Sequence, residues 1–354
     1  MRQIREIINV INKRHGGKAG LRLSIIVFII AGFSSCKQDR TVQPAIYYWK
    51  TTFDPAEEEI RKIKSLGINK LYLHFFDVKF EAGNVVPVAK LNVETPMPAV
   101  MEVVPVVYIT NESLQQTSVA GTDSLAYYIE QLIRAIGENN HILYKEIQID
   151  CDWTDGTKDK YFALLKSIKK LSGKMISCTI RLHQIKYQEK TGIPPADRGM
   201  LMFYNMGNLR DPKTTNSIFD QTTAKKYLAR GLSYPLELDL ALACFRWDVV
   251  IRQGKIIALL TTPVADSLIS KYTTNINTRI VQVQTGFLHQ GTWFQSGDLI
   301  RAEKSGLDEM KEAAHLLSDT WKNNNFSCAF YHWHDDFTHN LDASQIDEIL
   351  DPLR

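Results

Sequence analysis

The sequence predicts an α/β protein built as a (β/α)8 TIM barrel, and three observations carry that prediction. After residue 44, eight apolar segments typical of strands are mostly separated by amphipathic segments typical of helices. This alternation predicts a parallel sheet, and eight units over about 300 residues fit the usual size of such a barrel. The first strand-to-helix turn has no GxGxxG fingerprint, which disfavours the alternative, an open doubly wound sheet.

The predicted elements follow one another in a regular order. The first helix has clear boundary signals, because Asp54 can cap it, Pro55 takes its first position and Gly67 marks its stop. The predicted strands lie at 45–49, 68–77, 101–110, 146–153, 174–184, 199–207, 235–245 and 326–335, and the predicted helices at 54–67, 122–138, 158–172, 221–230 and 305–321. These elements predict a single barrel domain over residues 45–354.

Two segments depart from the simple repeat. Residues 78–100 show no helical pattern where the second helix is due, and residues 246–302 are too long for one connection. The second segment contains the apolar runs "KIIALL" and "TRIVQVQTGF". It is therefore predicted to be an insertion between strands 7 and 8 that adds strands above the C-terminal rim.

The first 35 residues have the pattern of a targeting signal. Basic residues continue to Arg22, an apolar run spans 23–33, and two serines precede Cys36. The run is too short to cross a bilayer, and "FSSC" resembles a bacterial lipobox. We therefore expect a signal peptide at 1–35, a lipid on Cys36 and a tether at 36–44, which place the protein in the bacterial cell envelope, anchored to a membrane. An ordinary secretory signal is the alternative.

The charge balance disfavours a nucleic-acid partner. The chain has 42 basic and 39 acidic residues, of which six and one lie within the first 35, so the remainder carries 36 and 38. A slightly acidic domain without Lys/Arg runs has no general attraction for phosphate backbones.

The stretch "EIQIDCDWT" (146–154) places carboxylates on one face of the fourth strand. Alternate residues of a barrel strand face the helices and the lumen in turn. The apolar set from Ile147 to Trp153 suits the helix side, which leaves Gln148, Asp150 and Asp152 facing inward. Asp152 is nearest the C-terminal mouth, where barrel active sites lie.

Other predicted strands carry inward polar or sulfur-containing residues as well. Buried charges must pair or face a ligand, and Arg181 on the neighbouring fifth strand is the expected counter-charge of Asp150. The remaining inward side chains are Tyr72, His74, Thr179, His183, Met202, Tyr204, Glu237, Asp239, His332 and His334.

These residues resemble the motifs of the chitinase-like glycoside hydrolases, family eighteen. That family ends its fourth strand with a pattern like I-D-x-D-W-E, and here residues 149–154 read Ile-Asp-Cys-Asp-Trp-Thr. Its sixth strand carries M-x-Y-[D/N], matched by Met202 to Asn205, and a Trp commonly ends its eighth strand, matched by Trp333. From "IQIDCDWT" to "RGMLMFYNMG" the chain also resembles a divergent branch of bacterial envelope lipoproteins with glycosidase-like barrels.

The resemblance implies a pocket for an N-acetylated sugar. Asp152 would lie near the acetamido N–H, Tyr204 near its carbonyl oxygen and Trp333 under the sugar ring, with Asp150 supporting Asp152. Further residues expected to contact the sugar are Asn205, Met202, Arg181, Glu237, Asp239 and His332.

The departures from the family pattern change the expected chemistry. The Glu that ends the fourth-strand motif is the family's general acid, and this chain has Thr154 there, while Ile147 replaces an earlier Asp. A threonine hydroxyl does not deliver a proton at neutral pH. The resulting prediction is a protein that binds N-acetylhexosamine-containing glycans with weak or no hydrolysis, without a cofactor or metal.

Three alternatives stay open at this point. One is an active glycosidase whose acid comes from another strand, with Glu237, Asp239 or Asp77 as candidates. A second is a metal-dependent hydrolase using His74, His332 and His334 with a carboxylate. The third is a purely structural lipoprotein with a filled lumen.

Overall fold

Eight parallel strands close into a barrel, which confirms the predicted fold. This computed structural model describes residues 40–99, 101–211, 214–333 and 341–354. The first strand pairs with both the second and the eighth, so the sheet closes on itself. The strands are β1 (Thr41–Tyr48), β2 (Lys70–Glu81), β3 (Glu102–Ile109), β4 (Glu146–Asp150), β5 (Met175–Arg181), β6 (Arg198–Met202), β7 (Leu238–Ala243) and β8 (Asn325–Tyr331).

Amphipathic helices pack around the barrel. The helix after β4 shows the pattern, because Tyr161, Leu164 and Ile168 form its buried face and Gly173 ends it in the left-handed region, at φ +63°. The described helices are α1 (Glu57–Ser65), α2 (Asn111–Gln116), α3 (Gly121–Asn139), α4 (Lys158–Ser172), α5 (Leu182–Lys186), α6 (Gln188–Thr191), α7 (Gln221–Leu228), α8 (Asp266–Tyr272), α9 (Leu307–Ser318) and α10 (Ala343–Leu350).

Two connections depart from the β/α repeat. After β2 the chain turns back as strand Asn84–Val88, antiparallel to β2, and a short strand Asn92–Val93 pairs with Thr52–Phe53. Between β7 and β8 lies a five-stranded antiparallel sheet, which we call the insertion sheet. Its strands, in spatial order, are Lys255–Leu260, Arg246–Arg252, Leu299–Lys304, Ile280–Val283 and Thr273–Asn275, and a separate hairpin pairs Phe287–His289 with Thr292–Phe294.

The two faces of β4 contribute to two different cores. Ile147, Ile149 and Trp153 belong to the large apolar layer between the barrel and its helices, as the strand's alternation predicts. A smaller cluster fills the lumen and includes Tyr47, Tyr72, Met202 and Tyr204.

Hydrogen-bonded polar side chains fill the N-terminal half of the lumen. Lys70 Nζ lies 3.1 Å from Glu146 Oε2, and Ser177 donates to Glu146 Oε1 at 2.5 Å. Closer to the C-terminal end of the barrel, the Tyr47 hydroxyl donates to Gln148 Oε1 at 2.5 Å. These groups satisfy one another's hydrogen-bonding capacity inside the lumen.

Several predicted boundaries change. β1 begins at Thr41, so residues 41–44 belong to the barrel and not to a tether. β5 ends at Arg181 and the chain enters α5, which removes His183 from the inward face. The predicted signal peptide and Cys36 lie outside the described residues. Within the described part of the chain, no helix is long and apolar enough to span a membrane.

Candidate functional site

An ion pair lies at the C-terminal mouth, just beyond the ends of two neighbouring strands. Asp152 lies two residues beyond the end of β4, and its side chain is 52% exposed. Arg181, the last residue of β5, donates from Nε to Asp152 Oδ1 at 2.7 Å and from Nη2 to Oδ2 at 3.5 Å. The planar guanidinium therefore holds the carboxylate in one orientation while the rest of that carboxylate faces solvent.

Asp150 lies below this pair and is buried. It accepts a hydrogen bond from Thr179 Oγ1 at 2.6 Å. Burial raises the pKa of Asp150 above its ordinary value, the charge of Arg181 and the Thr179 bond oppose that shift, and the charges of Asp152 and Asp77 add to it. The expected pairing of Asp150 with Arg181 is thus electrostatic, because the hydrogen bonds of Arg181 go to Asp152.

Tyrosines line the mouth beside the carboxylates. The Tyr204 ring stacks on Tyr331 at 5.3 Å between centroids, and its hydroxyl lies 3.4 Å from Met202 Sδ. Burial, with smaller effects from Tyr331 and nearby carboxylates, raises the pKa of Tyr204, so the hydroxyl stays protonated and can donate. Tyr108 pairs in register with Asp150, and burial together with the charges of Asp150 and Asp152 raises its pKa to about 12.

Tyr331 and Tyr108 are site residues that sequence reasoning missed. On β8 the inward set is the one that contains Ala329 and Tyr331, whereas the sequence prediction chose the set that contains His332. The small side chains at Ala241, Ala243 and Ala329 are the signal that could have identified this face, because an aromatic-filled lumen needs small neighbours.

Thr154 stands where the resemblance expects an acid, and its surroundings are hydroxyl-rich. Its Oγ1 lies 3.3 Å from Thr157 Oγ1, and Thr157 in turn donates to Asn111 Oδ1 at 2.5 Å. The neighbouring carboxylate, Asp155, pairs with Lys158 at 3.3 Å on the exposed side of the turn. The position therefore offers a weak hydrogen-bond donor and no carboxyl group.

Two of the alternative acids lie at the wrong end of the barrel. Arg198, the first residue of β6, pairs with Asp239 at 3.0 Å and with Glu237 at 2.6 Å. Asp239 also accepts from the backbone N–H of Ser327, near the start of β8. These contacts place both carboxylates at the N-terminal end, so the expectation that they face a ligand at the mouth is wrong.

Asp77 is the alternative acid that does lie near the mouth. It receives hydrogen bonds from His74 Nε2 at 2.7 Å and from Lys79 Nζ at 3.0 Å. Burial acts to raise the pKa of Asp77, but these hydrogen bonds and the two charges outweigh it and lower the pKa below its ordinary value. Asp77 is therefore ionised at neutral pH and has no proton to donate.

Trp333 does not present its ring to the mouth. The chain leaves β8 at Tyr331, and the Trp333 side chain is 1% exposed, packed perpendicular to Tyr48 at 5.5 Å in the outer apolar layer. The prediction that it lies under a sugar ring does not agree with this position, because alternation along a strand stops predicting direction once the strand ends.

The histidines do not form a metal centre with the described residues. His74 Nε2 is bonded to Asp77, His332 lies past the end of β8, and His334 is outside the described residues. No group of three or more His, Cys, Asp or Glu side chains that could hold a metal ion occurs in the described part of the chain.

A cleft of about 790 Å³ opens beside the mouth, between the barrel rim and the insertion sheet. We call it the side cleft. Asn205 and Tyr331 line it, so it adjoins the Tyr204 and Asp152 region. Trp49, Phe245, Trp247 and His332 also line it. The mouth and the side cleft together are the candidate functional site.

Comparison with solved structures shows which proteins have a similar fold. No protein-family model and no curated protein sequence matches the chain. The spore cortex-lytic enzyme SleL from Bacillus cereus is similar in structure, with a TM-score of 0.50 and 14% identity, over 88% of this chain and 75% of that one. An immunomodulatory active chitinase from Trichuris suis matches with a TM-score of 0.51 and 10% identity, over 89% of this chain and 100% of that one.

At such identities the likeness concerns the fold. SleL from Bacillus megaterium gives the same result, with a TM-score of 0.50 and 10% identity over 89% of this chain and 75% of that one. The resemblance seen in the motifs at 149–154 and 202–205 is therefore matched by the architecture, and the chain has the chitinase-like glycoside-hydrolase barrel fold.

Proposed function

We propose that this protein is an envelope-anchored lipoprotein whose barrel mouth binds N-acetylhexosamine-containing glycans with little or no hydrolysis. One observation carries the proposal: Asp152 and Tyr204 lie at the mouth of a chitinase-like barrel, and the residue at which the motif resemblance expects the acid is a hydroxyl, Thr154. The signal pattern before Cys36 supports the anchor.

The mouth suits an acetamido group. The Asp152 carboxylate can accept from an N–H while Arg181 holds it, and the protonated Tyr204 hydroxyl can donate to a carbonyl oxygen. A fixed acceptor and a fixed donor favour binding because little side-chain freedom is lost when the ligand arrives.

Hydrolysis is expected to be weak because the described residues at the mouth include no suitable general acid. Thr154 stays neutral, and Asp77 is ionised by its hydrogen bonds. Asp150 does have a raised pKa, but its carboxyl is buried below Asp152 and bonded to Thr179. General acid catalysis typically contributes about 10²–10⁴ in rate, so its loss leaves binding as the main activity.

Calorimetric titration with chito-oligosaccharides and peptidoglycan fragments tests the proposal. We expect binding by the full-length chain, and a loss of about tenfold in affinity for Asp152→Asn and for Tyr204→Phe, as for one hydrogen bond to a ligand. Asp155→Asn is the matched control, since Asp155 lies on the same rim but pairs outward with Lys158. Absence of binding to every fragment would refute the proposal. Turnover of aryl glycosides that Asp152→Asn abolishes would instead show an active glycosidase.

A further inference from the structure

We infer that the N-terminal end of the barrel carries a membrane-contact surface, in which exposed side chains around Leu143 enter the headgroup layer of the bilayer that holds the anchor. The inference rests on the proposed lipid at Cys36 and adds a second membrane contact to it. The surface, which we call the base patch, consists of residues 141–145 and 170–175.

The base patch is one continuous surface made by two neighbouring connections. Residues 140–145 join α3 to β4, and residues 172–174 join α4 to β5. The two strands begin side by side, because Glu146 and Met175 are in register and the Met175 N–H donates to the Lys145 carbonyl at 3.1 Å. Connections that lead from a helix to the next strand lie at the N-terminal end of such a barrel. The base patch is therefore on the face opposite the mouth.

The base patch exposes three large apolar side chains. Leu143 is 90% exposed, Leu171 46% and Met175 45%. Among the large apolar side chains of the described residues, that of Leu143 is the most exposed. Single exposed apolar residues are ordinary on a protein surface. Three of them on adjacent connections are typical of a surface that contacts a partner or a membrane.

The residues around these apolar side chains suit the boundary between water and lipid. The Tyr144 ring is half-buried, and Lys174 Nζ lies 5.4 Å from its centroid. Lys145 and Lys170 are exposed at the edges of the patch. Tyrosine rings and lysine stems are apolar with a polar tip, so they occupy the headgroup layer while a neighbouring leucine reaches deeper.

A groove of about 1150 Å³ beside the base patch has charges of both signs. A phospholipid headgroup that combines a phosphate with an ammonium group also carries both signs, so it can find partners of opposite charge there. The charged side chains that line the groove include Glu102, Glu130, Glu138, Arg134, Lys145 and Lys174.

The point at which the chain enters the barrel favours a bilayer as the partner of this surface. All eight strands are parallel, and β1 begins at Thr41, so the entry lies at the same end as the base patch. Cys36 precedes Thr41 by only five residues. A lipid on Cys36 therefore brings a bilayer next to the end of the barrel where Leu143 is exposed.

A polarity-sensitive fluorescent label tests the base patch in the lipidated full-length chain, reconstituted into vesicles of phosphatidylethanolamine and phosphatidylglycerol. The label is attached to the new cysteine of Leu143→Cys or, as the matched control, of Val119→Cys. Val119 is 79% exposed and lies between α2 and α3, at the mouth end of the barrel. The four cysteines of the barrel are buried and free, so labelling of the unmodified chain measures their small background.

We expect lipids brominated near the headgroup end of their chains to quench the label at position 143 by about twofold, because interfacial side chains enter a bilayer by roughly 5–10 Å. The label at position 119 should be unchanged. Leu171→Cys supplies a second position, where quenching should be weaker because Leu171 is less exposed. Flotation of the same vesicles reports the anchor separately.

The other outcomes separate this inference from the proposed anchor. If the chain floats with the vesicles but position 143 is not quenched, or is quenched no more than position 119, the inference is overturned and the anchor stands. A blue shift at position 143 that needs no lipid and disappears on dilution would overturn it in favour of contact between two copies of the chain. A chain that does not float would refute the anchor and this inference together, while glycan binding is measured independently by calorimetry.

Discussion

At the scale of single residues, two aspartates near the mouth have pKa values shifted in opposite directions. Burial dominates at Asp150 and raises its pKa, whereas hydrogen bonds from His74 and Lys79 overcome burial at Asp77 and lower its pKa. The ionised form is therefore penalised by folding at Asp150 and favoured by folding at Asp77.

Asp150→Asn should stabilise the protein at neutral pH. The folded-state pKa of Asp150 lies above the unfolded value, so the wild type loses stability as pH rises from the unfolded pKa through the folded one. Asparagine does not titrate and can still accept from Thr179. We expect a gain on the order of 1 kcal/mol at pH 7 that vanishes below about pH 3.5, measured by urea unfolding across pH. A loss of stability at pH 7 would contradict this account.

Asp77→Asn should have the opposite effect. The folded-state pKa of Asp77 is depressed, so its contribution is present above the unfolded pKa and is lost as pH falls through the folded one. The variant should lose about 1–2 kcal/mol at pH 7, as expected for hydrogen bonds to a charged group. The loss should shrink below about pH 3.5 in the same unfolding series. A loss that does not depend on pH would mean that packing, and not charge, is responsible.

At the scale of elements, the alternation of side chains along a strand predicts which face of the barrel a residue occupies. It does not predict how far along the barrel axis the residue lies, nor where a side chain points once the strand has ended. The inward face of β4 and the Met202 and Tyr204 pair at the end of β6 could be predicted because each belongs to a clear motif. Asp239 also faces inward, yet it lies at the N-terminal end because pairing sets strand height and barrel strands are staggered. The direction of the Trp333 side chain could not be predicted from the sequence, because Trp333 lies two residues past the end of β8.

Glu303 joins the insertion sheet to the loop after β6. It accepts from Arg301, from Trp247 and from both the backbone N–H and the hydroxyl of Ser217. Glu303→Ala should cost about 3–5 kcal/mol because it leaves the Arg301 charge buried without its carboxylate. Glu303→Gln keeps an acceptor oxygen and should cost less. Urea unfolding followed by tryptophan fluorescence measures both, and equal costs would argue against a role for the charge.

Gly207 allows a close backbone approach in that same loop. A Cβ on Gly207 would lie 2.7 Å from the backbone Cα of Ser217, which cannot move aside as a side-chain tip can. Gly207→Ala should cost about 1–3 kcal/mol in unfolding free energy. Gly156→Ala is the matched control, because its nearest atom would be 4.0 Å away, and it should change stability by less than about 0.5 kcal/mol. Similar effects at both glycines would show that the approach to Ser217 is not the cause.

At the scale of the whole molecule, the proposed lipid on Cys36 would hold the barrel at a membrane. Cys36→Ser should move the protein from the detergent-rich phase to the aqueous phase when envelope membranes are separated with Triton X-114. Cys244→Ser, which alters a buried free cysteine of the barrel, should stay in the detergent-rich phase. If Cys36→Ser also stays with the detergent, another segment anchors the protein.

The direction in which the strands run determines at which end the chain enters the barrel. Because all eight strands are parallel, β1 enters the barrel on the face opposite the mouth. Five residue steps from Cys36 to Thr41 span at most about 18 Å, less than the roughly 26 Å length of an eight-residue strand. If Cys36 carries the proposed lipid, so short a connection would keep the N-terminal end of the barrel next to the membrane and the mouth on the side away from it. It would sample the glycan meshwork beyond the membrane, and sugars still attached to lipid carriers in the same leaflet would be out of its reach.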